Sequence, residues 1–87
     1  MEKGWFLYII ECRTKNLYVG IAQDVKKRVE LHNRGRACRY TQFRRPVSLV
    51  YQEFCGHYNE AREREREVKK FSKTKKLALR DLSSRSA

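Results

Sequence analysis

A carboxylate on the core-facing side of a helix is the first sign of chemistry in this sequence. Glu65 follows Ala61 by about one helical turn and precedes Val68 by another, so the three side chains share one face of a predicted helix. A carboxylate turned towards a core costs free energy unless it pairs with a cation or holds a metal ion. Two interpretations follow: a salt bridge, with Arg28 as a candidate partner, or a metal-binding or catalytic carboxylate, which we favour.

Two pairs of residues are suited to phosphate binding and proton transfer. Arg28 and His32 lie one turn apart on another predicted helix, so their side chains are neighbours. Arg presents a planar fork that fits a phosphate, and His donates a hydrogen bond or moves a proton. Tyr8 and Tyr18 lie on two predicted strands, and their hydroxyls emerge on one face if the connecting loop has an odd length or a bulge. Taken alone, the first pair is also typical of a solvated helix face, and the second pair of ordinary strand packing.

Gly20 lies at the end of the second strand pattern, beside Tyr18. A glycine inside a strand pattern indicates that another group approaches the backbone closely, or that the strand has a bulge. An ordinary turn residue explains Gly20 equally well, so the sequence leaves both interpretations open.

Three apolar segments predict the strands that must position these side chains. Residues 5–10 are apolar on both faces, which is typical of a buried strand. Residues 17–21 follow after a short polar segment and predict the second strand of a hairpin, and residues 47–54 predict a third strand.

Capping residues predict three helices. Asp24 is a suitable N-cap for a helix that ends near Gly35. Asn59, or the residue before it, is a candidate N-cap for a long helix that ends near Phe71, and Ser72 caps a short helix that ends near Leu82.

The predicted fold is α/β (α+β), a small three-stranded antiparallel sheet flanked by three helices in the order β-β-α-β-α-α. Residues 1–82 form a single domain, because 87 residues suffice for one small core only. Residues 83–87 have no apolar anchor, and we expect a disordered tail there.

The charge balance points to a polyanionic partner. Lys and Arg number 21 against 10 Asp and Glu, which gives a formal charge of +11. Part of this charge serves solubility, and the rest creates a field that attracts nucleic acid, the commonest polyanion for a basic domain. We expect no membrane association, because no predicted helix combines a basic face with a broad Trp, Leu and Phe face.

A basic loop over residues 34–46 holds most of the candidate phosphate contacts. The predicted nucleic-acid-binding residues are Arg36, Arg39, Tyr40, Arg44 and Arg45 in this loop, and Lys69 outside it. Tyr40 and Phe43 either stack on an unpaired base or anchor the loop to the core, and the sequence does not decide between these roles.

Cysteine usage and the apolar segments predict a soluble, cytoplasmic protein. The sequence has three cysteines, an odd number: Cys12, Cys38 and Cys55. No CxxC pair is present, which argues against a zinc ribbon or finger. Free thiols are typical of a reducing compartment. The apolar run at residues 5–10 is too short for a signal or membrane segment.

The ordered set of motifs resembles the GIY-YIG nuclease family. The matching residues are, in order, Phe6-Leu7-Tyr8, Tyr18-Val19-Gly20, Arg28, His32 and Glu65. Shorter matches resemble the small single-domain bacterial members: His32-Asn33-Arg34-Gly35, Tyr40-Thr41, Arg45-Pro46 and Leu49-Val50-Tyr51. The resemblance extends over residues 5–82, and the order and spacing of the whole set make it specific.

The resemblance implies a metal-dependent endonuclease that hydrolyses phosphodiester bonds in structured or single-stranded nucleic acid, with DNA favoured over RNA and a place in repair or recombination. It implies catalytic roles for Tyr8, Tyr18, Arg28, His32 and Glu65, with Gly20 as a structural residue of the site. Glu65 would hold one divalent metal, Mg²⁺ or Mn²⁺. Either tyrosine is a candidate base, and that role needs a positive neighbour such as Arg28 to lower the tyrosine pKa.

The sequence also departs from the family pattern. Phe6 and Leu7 replace Gly and Ile of the first motif, and the late asparagine of larger members has no clear counterpart. No separate DNA-targeting domain is recognisable, so a protein partner that supplies specificity is a further expectation. The rival hypothesis is a catalytically silent nucleic-acid-binding module.

Overall fold

The computed structural model describes residues 4–85, and the helices and strands within them follow the predicted order. The elements are β1 (Trp5–Cys12), β2 (Leu17–Ala22), α1 (Val25–Asn33), α2 (Arg39–Gln42), β3 (Val47–Gly56), α3 (Tyr58–Lys69) and α4 (Lys73–Arg85). The α+β class and the order β-β-α-β-α-α are therefore confirmed. The short helix α2, of 4 residues, is an addition within the predicted basic loop.

The strand β1 is central because its sequence is apolar on both faces. It pairs with β2 on one side and β3 on the other, both antiparallel, in the order β2-β1-β3. Leu7 and Ile9 project to one face of the sheet and Tyr8 and Ile10 to the other, and all of them are buried.

Helices cover both faces of the sheet. Val25 of α1 packs with Tyr8 and Ile10 on one face, and Val68 of α3 packs with Leu7 on the other. The strand β2 is at an edge of the sheet, and both α1 and α3 contact it. Side chains from the two helices can therefore meet at this edge.

The hairpin loop between β1 and β2 sets the register that the site needs. The Lys15 N–H donates to Cys12 O and the Cys12 N–H donates to Asn16 O, both at 2.8 Å, and Lys15 has a φ of 72°. This is an odd-length loop that closes through a left-handed residue. Tyr8 pairs with Gly20, and Tyr18 pairs with Ile10, so the two tyrosines lie on one face, as the conditional prediction required.

The helix starts confirm two predicted caps and correct a third. The Lys27 N–H donates to Asp24 Oδ1 at 3.1 Å, and the Lys75 N–H donates to Ser72 Oγ at 3.2 Å. The predicted N-cap of the long helix, Asn59 or the residue before it, is wrong, because the N-cap of α3 is His57. The Glu60 carboxylate accepts the His57 N–H at 3.1 Å and so stabilises the earlier start.

The last helix is longer than predicted. It continues to Arg85, beyond the expected end near Leu82. Residues 86–87 lie outside the described residues, and the predicted disorder of residues 83–87 stays a prediction. Within residues 4–85, no helix has both the length and the apolar composition needed to cross a membrane.

Candidate active site

A cavity of about 330 Å³ collects the predicted catalytic residues at the β2 edge of the sheet. Tyr8 comes from β1, Tyr18 from β2, Arg28 and His32 from α1, and Glu65 from α3. Gly20 forms part of the same wall. The fold thus brings together side chains from four separate elements.

His32 is held by hydrogen bonds at both ring nitrogens. Its Nε2 lies 2.8 Å from the Tyr8 hydroxyl, and its Nδ1 lies 2.7 Å from Thr41 Oγ1. His32 and Thr41 are almost completely buried. The Thr41 hydroxyl donates to Cys38 O at 3.5 Å, so we assign the ring proton to Nδ1, where Thr41 accepts it. His32 Nε2 is then the acceptor of the Tyr8 O–H and fixes its direction.

Burial determines the protonation of this group. Burial, and then Arg28, lower the pKa of His32 to about 4. Burial and the neighbouring Tyr18 raise the pKa of Tyr8 well above its usual value, and Arg28 offsets them only in part. Burial, followed by a hydrogen bond with Cys38, raises the pKa of Tyr18 to about 12. Arg28 does lower the pKa of both tyrosines, as expected, but desolvation outweighs its charge, so the net pKa of each tyrosine is raised.

The buried neutral histidine predicts a pH-dependent stability. An unfolded histidine protonates near pH 6.5, whereas His32 in the folded protein does so only near pH 4. The unfolded state binds more protons in this window, so the free energy of unfolding should fall as the pH drops from 6.5 to 4. Urea unfolding across this range should show a shallower slope for His32→Gln than for the wild type. The exposed His57 provides the control, since His57→Gln should keep the wild-type slope. An unchanged slope in His32→Gln would exclude His32 as its source.

Gly20 leaves the space that the Tyr8 side chain occupies. A Cβ atom on Gly20 would lie 2.5 Å from the Tyr8 hydroxyl oxygen and 2.7 Å from Cζ. The interpretation of Gly20 as a point of close approach is confirmed. The glycine lets the tyrosine cross the edge strand and reach the cavity.

Gly20→Ala should therefore destabilise the protein and displace Tyr8 from His32. We expect a loss of about 1–3 kcal/mol in the free energy of unfolding, because Tyr8 is buried and cannot move without disturbing its neighbours. Gly4→Ala is a matched control. The three atoms nearest to a Cβ there all belong to the ring of Phe54, which is 65% exposed and contacts Phe6 edge to face, so that ring can shift at lower cost than the buried Tyr8. Equal stability of the two variants in urea unfolding would show that Tyr8 does not need this space.

Glu65 faces cations of its own helix. Its side chain is 14% exposed, and its carboxylate lies 3.2 Å from Lys69 Nζ and 3.7 Å from Arg62 Nε. Glu65 therefore does form salt bridges, but its partners are Arg62 and Lys69 and not the suggested Arg28. Within residues 4–85 the Arg28 guanidinium makes no hydrogen bond or ion pair, so it can accept a phosphate at the cavity wall.

The donor set suits a hydrated metal ion better than a closed metal centre. Among the described residues, 4–85, no group of three or more His, Cys, Asp and Glu side chains is placed to hold a metal. Mg²⁺ usually keeps several waters and takes one or two carboxylates together with substrate phosphates. Glu65 at the cavity wall, partly accessible, fits that mode of binding.

The aromatic and basic residues of the loop over residues 34–46 have different surroundings. The Tyr40 ring stacks on Tyr18, with centroids 5.8 Å apart, and the Arg44 guanidinium lies 4.3 Å from its centroid. These contacts favour the anchor interpretation of Tyr40. Phe43 is 78% exposed, so its ring remains accessible to a base.

The predicted phosphate contacts fall into two groups. Arg36 and Arg39 are exposed, and Lys69, which does not line the cavity, pairs with Glu65, which does. Arg45 instead donates from Nε to Gln42 O at 2.8 Å and from Nη1 to Asn33 O at 3.3 Å. Arg45 therefore has a structural role in holding the loop on α1, and the contacts of all these residues with nucleic acid stay predictions.

The cavity is also lined by Trp5, Tyr58 and Arg62, which no sequence pattern singles out. Trp5 begins β1 and Tyr58 begins α3, and they meet only in the folded protein, with ring centroids 4.9 Å apart. Arg62 is hidden within a run of alternating charges on α3. Thr41 belongs to the Tyr40-Thr41 motif, but its hydrogen bond to His32 depends on the position of α2 and could not be predicted from that motif.

Comparisons with known proteins identify the domain family. The family model described as the GIY-YIG catalytic domain matches residues 4–78. A UPF0213 protein of Staphylococcus saprophyticus is 49% identical over 74 residues, which span 85% of this chain and 90% of that protein. A UPF0213 protein of Staphylococcus aureus is 51% identical over 74 residues, with the same coverage of 85% and 90%.

A solved structure shows the same relationship in three dimensions. The solution NMR structure of a UPF0213 protein from Bacillus halodurans aligns with a TM-score of 0.57 and 35% identity, over 91% of this chain and 84% of that one. The family model covers most of the chain, and relatives of similar length match it almost from end to end. This chain is therefore a small member of the GIY-YIG domain family.

Proposed function

We propose that this protein is a metal-dependent endonuclease that hydrolyses phosphodiester bonds in DNA, structured or single-stranded, in the cytoplasm, in a repair or recombination process. Membership of the GIY-YIG family supports nuclease activity in general. The observation that carries the specific proposal is the shared cavity of Glu65, Arg28 and the hydrogen-bonded pair Tyr8 and His32. A carboxylate, a phosphate-binding cation and a proton path are the parts that phosphodiester hydrolysis requires.

The cations at the cavity bind and orient the scissile phosphate. Arg28 offers two parallel N–H donors to the non-bridging oxygens. Arg62 and Lys69 pair with Glu65 in this structure, and both would become available to neighbouring phosphates if that carboxylate held a divalent ion. Glu65 would hold the divalent ion, Mg²⁺ or Mn²⁺, which would supply positive charge against the negative charge that develops on the phosphate. The exposed Arg36 and Arg39 add contacts that fix the register of the strand without reading bases.

The pair Tyr8 and His32 moves the proton of the attacking water. A free phenolate is costly here, because the pKa of Tyr8 is raised by burial. The Tyr8 oxygen therefore takes the water proton as its own proton passes to His32 Nε2, while the water oxygen bonds to phosphorus and the bond to the leaving oxygen breaks. The Thr41 oxygen accepts from the Nδ1–H of the resulting imidazolium. Tyr18, beside both rings, positions the water or the phosphate.

A cleavage assay on a substrate panel tests the proposal. Labelled single-stranded, duplex, flap and branched DNA, and RNA, would each be incubated with Mg²⁺, Mn²⁺ or EDTA. Cleavage of at least one DNA with metal, and its loss in EDTA, is the expected result. Salt-sensitive binding without cleavage of any substrate would contradict it and favour a binding module. Cleavage that needs a second protein, found by adding fractionated cell extract, would identify a partner that supplies specificity.

A further inference from the structure

A larger cavity, of about 650 Å³, adjoins the catalytic cavity and shares two residues with it. Trp5 and Tyr58 line both. The remaining lining residues come from the end of β3 and the start of α3: Phe54, Gly56, His57, Asn59 and Glu60, together with Gly4. None of the catalytic side chains lines this second cavity, so its chemistry is not explained by the hydrolytic site.

Exposed aromatic rings dominate the second cavity. Phe54 is 65% exposed and Tyr58 is 46% exposed, although both are large apolar side chains. Trp5 and Tyr58 contact each other edge to face, with an interplanar angle of 72°. Exposed aromatic faces grouped at a cavity are typical of binding sites for flat, apolar-faced ligands.

We propose that this aromatic cavity binds an unpaired nucleobase of the nucleotide next to the scissile phosphate. The inference rests on the proposed nuclease function, since it names the part of the substrate that lies outside the hydrolytic site. Every base offers a π-face, and stacking on protein aromatics tolerates any sequence. A base within a duplex has both faces covered by its neighbours, so occupation of the cavity selects a single strand or an extruded base.

The shared residues support a base next to the cleaved bond. Arg62 lies on the catalytic cavity beside Tyr58, with its side chain 45% exposed, and can hold the phosphate that links the two subsites. His57, Asn59 and Glu60 supply polar groups at the rim of the aromatic cavity. The cavity thus combines ring faces for a base with a neighbouring cation for its phosphate.

Intrinsic fluorescence tests the inference without any cleavage. Trp5 is the only tryptophan of the chain and lies in the wall that the two cavities share. In EDTA, a single-stranded oligonucleotide should quench this fluorescence, whereas the same sequence as a blunt duplex should not. Tyr58→Ala and Phe54→Ala should each weaken single-strand binding by about tenfold and leave duplex binding unchanged, because each removes a ring on which a base can stack.

The matched control is Leu49→Ala, which truncates another exposed apolar side chain of β3 away from both cavities. It should bind single strands as the wild type does. A series of single strands, each with one abasic position at a different place, sharpens the test. The wild type should bind one of these strands more weakly than the intact strand. Tyr58→Ala should bind that strand and the intact strand equally well, because it has already lost the stacking contact. Three results would overturn the inference. The losses of affinity caused by the abasic position and by Tyr58→Ala could add up, or the duplex could quench the Trp5 fluorescence as strongly as the single strand. Single-strand binding could also be weakened by Phe43→Ala, in the basic loop, and by neither Tyr58→Ala nor Phe54→Ala. Base-dependent quenching without cleavage in Mg²⁺ or Mn²⁺ would support the subsite and contradict the nuclease proposal.

Discussion

Glu65→Gln should abolish metal-dependent cleavage and leave nucleic-acid binding intact. The substitution keeps the shape of the side chain and removes the charge that a divalent ion needs. Metal catalysis contributes several kcal/mol to transition-state stabilisation, so we expect the single-turnover rate to fall by about a thousandfold or more. Binding in EDTA should persist, because Arg62 and Lys69 lose an anionic partner and remain available to phosphates.

Glu63→Gln is the matched control for this experiment. Glu63 lies on the same helix and is exposed, and it is not among the residues that line the catalytic cavity. Its variant should cleave at the wild-type rate. Mn²⁺ titrations followed by electron paramagnetic resonance add a readout that does not depend on turnover. Wild-type cleavage by Glu65→Gln, or unchanged Mn²⁺ binding, would show that the metal is held elsewhere.

Tyr8→Phe should lower the cleavage rate by about a hundredfold to ten-thousandfold. The variant retains the ring that fills the space above Gly20 and loses the hydroxyl that His32 orients. His32 Nε2 then lacks its partner, which costs about 1–3 kcal/mol of stability in a buried site. The rates should therefore be measured well below the melting temperature, under single-turnover conditions and with saturating metal.

Tyr51→Phe separates the catalytic effect from the general loss of a tyrosine hydroxyl. The Tyr51 hydroxyl donates to Glu53 Oε1 at 2.6 Å, and burial raises the pKa of Tyr51 to about 12, as it does for Tyr18. Tyr51 belongs to the core cluster on the opposite face of the sheet and does not line the catalytic cavity. Its variant should lose stability but retain the cleavage rate. A Tyr8→Phe enzyme as active as Tyr51→Phe would remove Tyr8 from the proton path.

The sequence predicts those parts of the fold that depend on local patterns. Apolar residues on both faces place β1 at the centre of the sheet, and the caps Asp24 and Ser72 set two helix starts. The start of α3 differs slightly from the prediction. Its N-cap is His57, which is not one of the usual Asn, Asp, Ser or Thr caps, and the Glu60 carboxylate stabilises this start. The candidate catalytic residues that meet at the cavity follow from spacing and family resemblance together: Tyr8, Tyr18, Arg28, His32 and Glu65.

The parts of the site that sequence reasoning missed depend on burial and on long-range contacts. Desolvation raises the pKa of Tyr8, and the residues adjacent to Tyr8 in the sequence do not indicate how deeply its hydroxyl is buried. The contact of Thr41 with His32 needs the single turn of α2 to dock on α1. Trp5 and Tyr58 come together only because β1 and α3 begin at the same end of the molecule.

The central claim is that the cavity around Glu65 hydrolyses a phosphodiester bond with water and a divalent ion. The most direct measurement is cleavage of a labelled DNA strand by chelator-treated protein in ¹⁸O-water, before and after addition of Mg²⁺, with the products analysed by mass spectrometry. We predict no product before the addition, and afterwards a product whose terminal phosphate carries one ¹⁸O atom. Equal cleavage in the presence of the chelator, or a product without the label, would contradict the account.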